Sequence, residues 1–252
     1  MVYFISDAHL GSRALTSMRT RERRLVKFLD SIKHKASAVY MLGDIFDFWF
    51  EYHNVVPKGY TRFLGKLSEL SDQGIELHFY VGNHDMWAFD YLHHECGMTI
   101  HPEPEELLLP CVDGSSQVAF IGHGDGLGDK DRKFLFLRSM FHNPLLQRLF
   151  ACIHPSWSVG FGLEWAKRSR LKHEAEGAPR YLGEQQEPLI QYSKQYLEKH
   201  PDINYFIYGH RHIELDLMLN RDSRIIILGD CWQQFTYAQF DNFGLRLLNY
   251  EQ

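Results

Sequence analysis

Five short stretches concentrate the side chains able to bind a cation or move a proton. They are Asp7-Ala8-His9, Gly43-Asp44, Gly82-Asn83-His84-Asp85, Gly122-His123-Gly124-Asp125 and Gly209-His210-Arg211-His212. Each follows an apolar run, and such a run closed by a turn residue reads as a buried strand with a sharp exit. Asp-x-His and His-x-His place both side chains on one side of an extended segment, because strand side chains alternate with period two. The donors are then Asp7, His9, Asp44, Asn83, His123, His210 and His212, a set without thiolate. Carboxylate with imidazole suits Mn, Fe or Zn in an open catalytic centre better than a closed structural zinc. The set is too large for one ion, whereas two ions about 3.5–4 Å apart that share Asp44, alone at its strand end, use it well. Taken singly, each member is an ordinary turn residue or core histidine. Convergence of the whole set is what marks a site.

The elements that must position these residues read as follows. Val2 to Ile5 is a strand, Ser17 to Lys35 an amphipathic helix carrying Leu25, Phe28, Leu29 and Ile32 at helical spacing, and Ala38 to Leu42 a second strand. A helix from Tyr60 to Asp72 stops at Gly74, and the strand Ile75 to Val81 delivers Asn83 and His84. This β-α-β-α-β order implies right-handed crossovers and a parallel sheet. Trp87 to Cys96 reads as a short helix, and Leu107 to Leu109 and Val118 to Ile121 as strands. After a helix from Glu187 to His200 comes the strand Tyr205 to Tyr208. The runs Leu215 to Leu219, Ile225 to Leu228, Phe235 to Phe240 and Leu245 to Asn249 then alternate as an antiparallel set would.

Composition narrows the class. With 252 residues, 44% of them hydrophobic, the chain can bury a substantial core. A net charge of −5 argues against a general nucleic-acid binder. Cys96, Cys111, Cys152 and Cys231 are widely spaced and form no C-x-x-C pair, which suits reduced thiols in a cytoplasmic protein. The first residues lack the basic start of a signal peptide, and no apolar run reaches the length of a membrane span.

The segment 126–177 differs from the rest. Phe134, Phe136, Leu145, Leu149, Trp157, Phe161 and Trp165 are among its many apolar side chains, and Arg138, His142, Gln147 and Arg148 interrupt it too often for a membrane span. Two readings stay open: a helical insertion that buries its own face, or an apolar cap over the site for acyl chains or a membrane surface. In the second, Lys167, Arg168, Arg170 and Lys172 face phosphates or anionic headgroups.

Asp-x-His, Gly-Asp-x-x-Asp, Gly-Asn-His-Asp, Gly-His-Gly-Asp and Gly-His-x-His, in this order across residues 7–212, resemble the calcineurin-like metallophosphoesterase superfamily. The resemblance implies an α/β fold: a β-sandwich flanked by helices in α/β/β/α layers, one domain over 1–252, with 126–177 as a helical cap within it. It implies a two-metal hydrolase in which Asp7, His9, Asp44 and His212 hold one ion and Asp44, Asn83, His123 and His210 the other. His84 would sit beside the phosphate as a catalytic group, stabilising the transition state or protonating the leaving group, and Asp85 would orient it through its other ring nitrogen.

The cap and its flanks sharpen the resemblance. Asp129-x-Asp131, Arg138 and His142-x-Pro144-x-Leu146-Gln147-x-Leu149-Phe150, with Gly97-Met98-Thr99 and Leu228-Gly229-Asp230-x-Trp232, are similar to the UDP-2,3-diacylglucosamine pyrophosphatases of lipid A biosynthesis. That similarity implies cleavage of a diacylated sugar nucleotide to UMP and 2,3-diacylglucosamine 1-phosphate, with manganese as the favoured ion and iron or zinc as alternatives. Substrate contacts would come from Asp131, Arg138, Lys167, Arg168 and Lys172. The protein would sit peripherally on the cytoplasmic face of the inner membrane, with no nucleic-acid partner. His84 stands where the best-known members carry arginine, and Phe134 where they carry tyrosine. The competing expectations are a soluble phosphodiesterase or phosphatase with a self-packed cap, and a metal-bound scaffold without activity.

Overall fold

Residues 1–250, apart from 16, 130 and 176, are described by the computed structural model. Residues 130 and 176 of the expected cap, and 251–252 of the expected single domain, lie outside that set. Strand β1 (Val2–Ile5) leads through helix α1 (Met18–Ile32) to β2 (Ala38–Leu42), and α2 (Thr61–Asp72) leads to β3 (Glu76–Tyr80). These three strands are parallel neighbours. Helix α3 covers only Tyr91–Cys96, shorter than expected, because Asp85 to Asp90 is spent on the loop beside the site. Gly97 then closes α3 in the left-handed region (φ 65°) and releases β4 (Met98–His101), a parallel strand too short to stand out in the sequence.

β5 (Glu105–Pro110), β6 (Ser116–Gly122), β7 (Ile203–Tyr208), β8 (Glu214–Met218) and β9 (Arg224–Leu228) form the second sheet, in the order β5-β6-β7-β9-β8. The hairpin of β10 (Thr236–Asp241) and β11 (Gly244–Asn249) returns to the first sheet, whose order is β11-β10-β1-β2-β3-β4. The last four runs are therefore not one antiparallel set. β9 pairs parallel with β7, and β10 pairs antiparallel with β1. The alternation of a strand reports which faces are buried, not which neighbour it pairs with.

Period-two side chains build the layers. Tyr3, Ile5, Val39, Met41, Leu77 and Phe79 face Phe28, Leu29, Phe63, Leu67 and Leu92 of the first helical layer. Phe4, Tyr40 and Leu42 point the other way, on to Ala119, Ile121, Ile207 and Ile226 between the sheets. Beyond the second sheet, Phe120, Phe206, Ile225 and Ile227 pack on Leu189 and Ile190 of α7 (Pro188–Leu197). The layers are α/β/β/α, with parallel strands buried on both faces.

Between β6 and α7 stand α4 (Arg132–Phe141), α5 (Pro144–Ala151) and α6 (Pro155–Ala175). Pro144 opens α5, where its missing N–H costs nothing, and the Asn143 side chain accepts from the N–H groups of Leu145 and Leu146. Phe141, Phe150, Val159 and Leu163 seat these helices on Phe48, Phe50, Met86 and Trp87. At Gly162 a Cβ would lie 2.3 Å from the Phe48 ring, so glycine is what lets α6 come this close. Elsewhere α6 buries Ser158, Ala166 and Arg170, but much of the apolar surface of the insertion stays open. No side chain of α4 or α5 is buried, and Phe136 and Trp157 are 67% and 75% exposed.

Candidate metal centre

Past their last ladder pairs, β1 and β2 continue side by side: the N–H groups of Asp7, His9 and Leu10 donate to the carbonyls of Gly43, Asp44 and Ile45. This brings Asp-x-His and Gly-Asp to one spot at the carboxyl ends of parallel strands. The backbone there is strained. Asp7, His9, Asp44, His210 and His212 all have positive φ, between 43° and 66°, and among the described residues only Tyr60 and Phe235 share this without being glycine. Strain of about 1–3 kcal/mol per residue persists where surrounding contacts enforce it, typically at functional sites. Gly82 supplies the close approach from β3, since a Cβ on it would meet Asp44 Oδ1 at 2.3 Å and the Asp44 nitrogen at 2.5 Å.

The donors fall into two groups joined at Asp44. In the first, His9 Nε2 faces His212 Nε2 at 3.2 Å, Asp44 Oδ2 at 3.7 Å and Asp7 Oδ1 at 3.8 Å, and His212 Nε2 is 3.0 Å from Asp7 Oδ1. Donor atoms of Asp7, His9, Asp44 and His212 all lie within 4.8 Å of one another. In the second, Asn83 Oδ1 is 3.0 Å from His210 Nδ1 and 3.2 Å from His123 Nε2, which is 3.5 Å from Asp44 Oδ2. Asp44 Oδ1 accepts from the His84 N–H, so Oδ2 is the oxygen that faces both groups.

This set fits divalent cations. His123 donates Nδ1–H to the Leu42 carbonyl at 2.8 Å, leaving the lone pair of Nε2 directed inward. Asp7 Oδ1 is buried without a hydrogen-bond partner, and two imidazole nitrogens face each other beside it. Such convergence of lone pairs is costly unless a cation sits among them. Burial alone would raise the pKa values of Asp7 and Asp44. The facing histidines outweigh it, His212 for Asp7 and His123 for Asp44, and hold both carboxyls well below their ordinary range. Burial opposes a charge on His123, yet Asp44 and the other carboxylates raise its pKa well above the ordinary value. The surplus of buried negative charge that draws a proton there would draw a metal ion instead. His210 is pushed down to about 4 by burial and by His123, so its ring is neutral and able to ligate near neutral pH.

His84 sits at the mouth of the site. Its Nδ1–H donates to the Asp47 carbonyl at 2.9 Å, which leaves Nε2 toward Asp44 Oδ2 at 4.0 Å. The expected orienting role of Asp85 is therefore corrected. The Asp85 carboxylate accepts from the backbone N–H groups of Gly82, Asp44 and Phe46 and ties the loops after β2 and β3 together. Burial, then the charge of Asp44, raises its pKa to about 7.

Two side chains at the site, Asp47 and Trp232, had no role assigned from the sequence, and a third, Arg170, was expected to face phosphates or anionic headgroups. Asp47 Oδ1 lies 3.3 Å from His9 Nδ1 and orients that ring. Arg170 reaches down from α6, its Nη2 3.3 Å from the same Asp47 oxygen and its guanidinium 5.1 Å over Trp232. Trp232 in turn packs edge-on against His9 and His212. The Gly-Asp-x-x-Asp block and the Asp230-x-Trp232 block carried this signal without assigning a role.

The expected substrate contacts are scattered. Asp131 caps α4, accepting from Lys133 and Phe134 N–H groups. Arg138 is held by Asp125 at 2.6 Å, and the Phe134 ring lies 6.2 Å from that of His210. Arg168 is 80% exposed and 3.2 Å from Glu164, and Lys172 is exposed. Lys167 is half-buried. At about 100° per residue, residues 168 and 172 share a face that 170 does not, so the basic run is not one surface and its inward member is Arg170.

The calcineurin-like phosphoesterase family model matches residues 1–214. A UDP-2,3-diacylglucosamine hydrolase of Porphyromonas gingivalis is 40% identical over 99% of this chain and 97% of its own. One from Neisseria meningitidis is 32% identical over 70% of each chain. A dimetal phosphatase from Danio rerio is a more distant likeness, 13% identical with a TM-score of 0.45 over 99% of this chain and 98% of that one.

Proposed function

This chain belongs to the calcineurin-like phosphoesterase family, and from that premise we propose that it hydrolyses the pyrophosphate of UDP-2,3-diacylglucosamine, giving UMP and 2,3-diacylglucosamine 1-phosphate. The observation that carries this reading is the apolar surface beside the donor cluster. Phe136, Leu145, Leu149, Trp157, Phe161 and Trp165 stay largely exposed on helices that pack, through Phe141 and Phe150, against the loops delivering Asp47 and His84. Exposed apolar area of this extent marks a place where acyl chains or a bilayer interface complete the packing. It disfavours the self-packed cap of a soluble phosphodiesterase. The complete donor set disfavours an inactive scaffold.

Asp7, His9, Asp44 and His212 would hold one divalent ion, and Asp44, Asn83, His123 and His210 the other; the oxygen-and-imidazole set suits Mn, Fe or Zn, of which manganese is the ion we propose. Such a pair supplies charge neutralisation at phosphorus and an acidified water. The chain's own part is positioning. His84, fixed through Nδ1, presents Nε2 to a non-bridging or leaving oxygen. Asp47 fixes the His9 ring, and the Phe134 ring walls the His210 side without a hydroxyl. Among the described residues no helix is long and apolar enough to cross a membrane. Attachment to the cytoplasmic face of the inner membrane would therefore be peripheral, through the cap.

The test is release of UMP from UDP-2,3-diacylglucosamine in mixed micelles with added Mn²⁺. Brisk turnover of water-soluble diesters with none of the lipid would refute this substrate.

A further inference from the structure

The donor cluster has a second flank. β2 and β3, whose loops carry the seat of the cap, lie on one side of β1, and β10 and β11 lie on the other. On that other side, beginning at the ligand histidine His212, an open cleft of about 560 Å³ is lined by Arg180, Tyr181, Glu214 and Gln234. Its volume suits a small polar molecule, within the usual range of about 300–1,000 Å³. Its lining does not suit acyl chains. A phosphorus atom held between the two donor groups would have the cap on one flank and this cleft on the other.

We propose that the cleft binds the nucleoside half of the substrate, an assignment that rests on the sugar-nucleotide reading above. The chemistry of its walls matches a pyrimidine nucleotide. Tyr181 is 42% exposed and offers an aromatic face on which a base can stack. The Gln234 carboxamide carries both donor and acceptor, complementary to the N–H and carbonyl edge of uracil. Glu214 is exposed on β8 and can accept from ribose hydroxyls, while Asp216, the other cleft carboxylate, is already engaged by Arg224 at 3.1 Å. Arg180 adds a cation to the cleft wall, able to pair with the phosphate of UMP. Arg180 and Tyr181 come five and six residues after the end of α6, the helix whose Arg170 is clamped to Asp47.

The experiment is calorimetric titration of UMP into the Mn²⁺-loaded full chain, for wild type, Tyr181→Ala and Gln234→Ala. It is paired with the ratio of kcat/KM for UDP-2,3-diacylglucosamine to that for bis(4-nitrophenyl) phosphate, a diester without a nucleoside. Loss of one stacked base contact weakens binding by about tenfold or more, so UMP affinity and the ratio should both fall by about that factor in Tyr181→Ala. If the lipid is cleaved and both variants keep wild-type UMP affinity and ratio, the cleft assignment falls and the substrate stands. If the lipid is not cleaved but UMP binds and Tyr181→Ala weakens it, the substrate falls and the nucleotide cleft stands. Absence of UMP binding to wild type overturns the cleft.

Discussion

Replacement of Arg170 by methionine tests the coupling between cap and centre. Its Nη2 lies 3.3 Å from Asp47 Oδ1, with both side chains buried. At that distance and an effective dielectric of about 20, the attraction is about 5 kcal/mol. Desolvation of two ions offsets it by several kcal/mol, so the intact pair contributes little net stability. Removing one partner is different. Asp47 would keep its buried charge beside His9, with one carboxylate oxygen already lacking a partner, and the guanidinium over Trp232 would be lost. The expected cost of Arg170→Met is about 3–5 kcal/mol. Asp47→Asn combined with Arg170→Met removes both charges, and should be at least about 1–2 kcal/mol more stable than the sum of the single losses implies. The assay is urea unfolding of metal-depleted wild type, both singles and the double, with amide exchange of α6 followed in each to catch local detachment of the cap. Losses that add to within about 0.5 kcal/mol would show that the pair is not coupled and would refute the inference.

Four further outcomes follow from the same geometry. Asp44→Asn should lower turnover by at least about 100-fold, more than loss of a group that only supports a metal ligand, and bound metal measured by mass spectrometry should fall with it; full activity would overturn the ligand assignment. Gly162→Ala forces a Cβ into the Phe48 ring, and the strain, about 1–3 kcal/mol, should appear as faster proteolysis of the cap and a lowered Tm. Iodoacetamide at pH 8 should modify Cys152, exposed at the end of α5, while Cys96 and Cys231, buried and with thiol pKa values raised by that burial, resist until the protein unfolds. Anionic vesicles should shield Cys152 in the native protein, and serine at Trp157, Phe161 and Trp165 together should abolish that shielding; labelling indifferent to vesicles would argue against a cap that docks on lipid.

The parallel strands and the donor set could be read from local signals. Period-two apolar runs ending in glycine and a polar residue dictate buried strands whatever they pair with, and Asp-x-His needs only an extended backbone to aim both groups one way. Pairing and orientation were another matter. Nothing local says that β9 lies parallel to β7, or that β10 crosses back to β1, because neighbours in a sheet are chosen by packing between distant segments. The family resemblance implied Asp85 as the partner of His84, but adjacent side chains on a turn diverge, and the carboxylate went to three backbone N–H groups instead. Arg170 was expected to face phosphates or anionic headgroups with its three basic neighbours, whereas the helical period turns it inward on Asp47. The types of chemistry were thus set by residue identity and spacing. Which histidine each carboxylate steers, and which side chains border the cleft beside His212, only the assembled sandwich decided, because those distances join residues far apart along the chain.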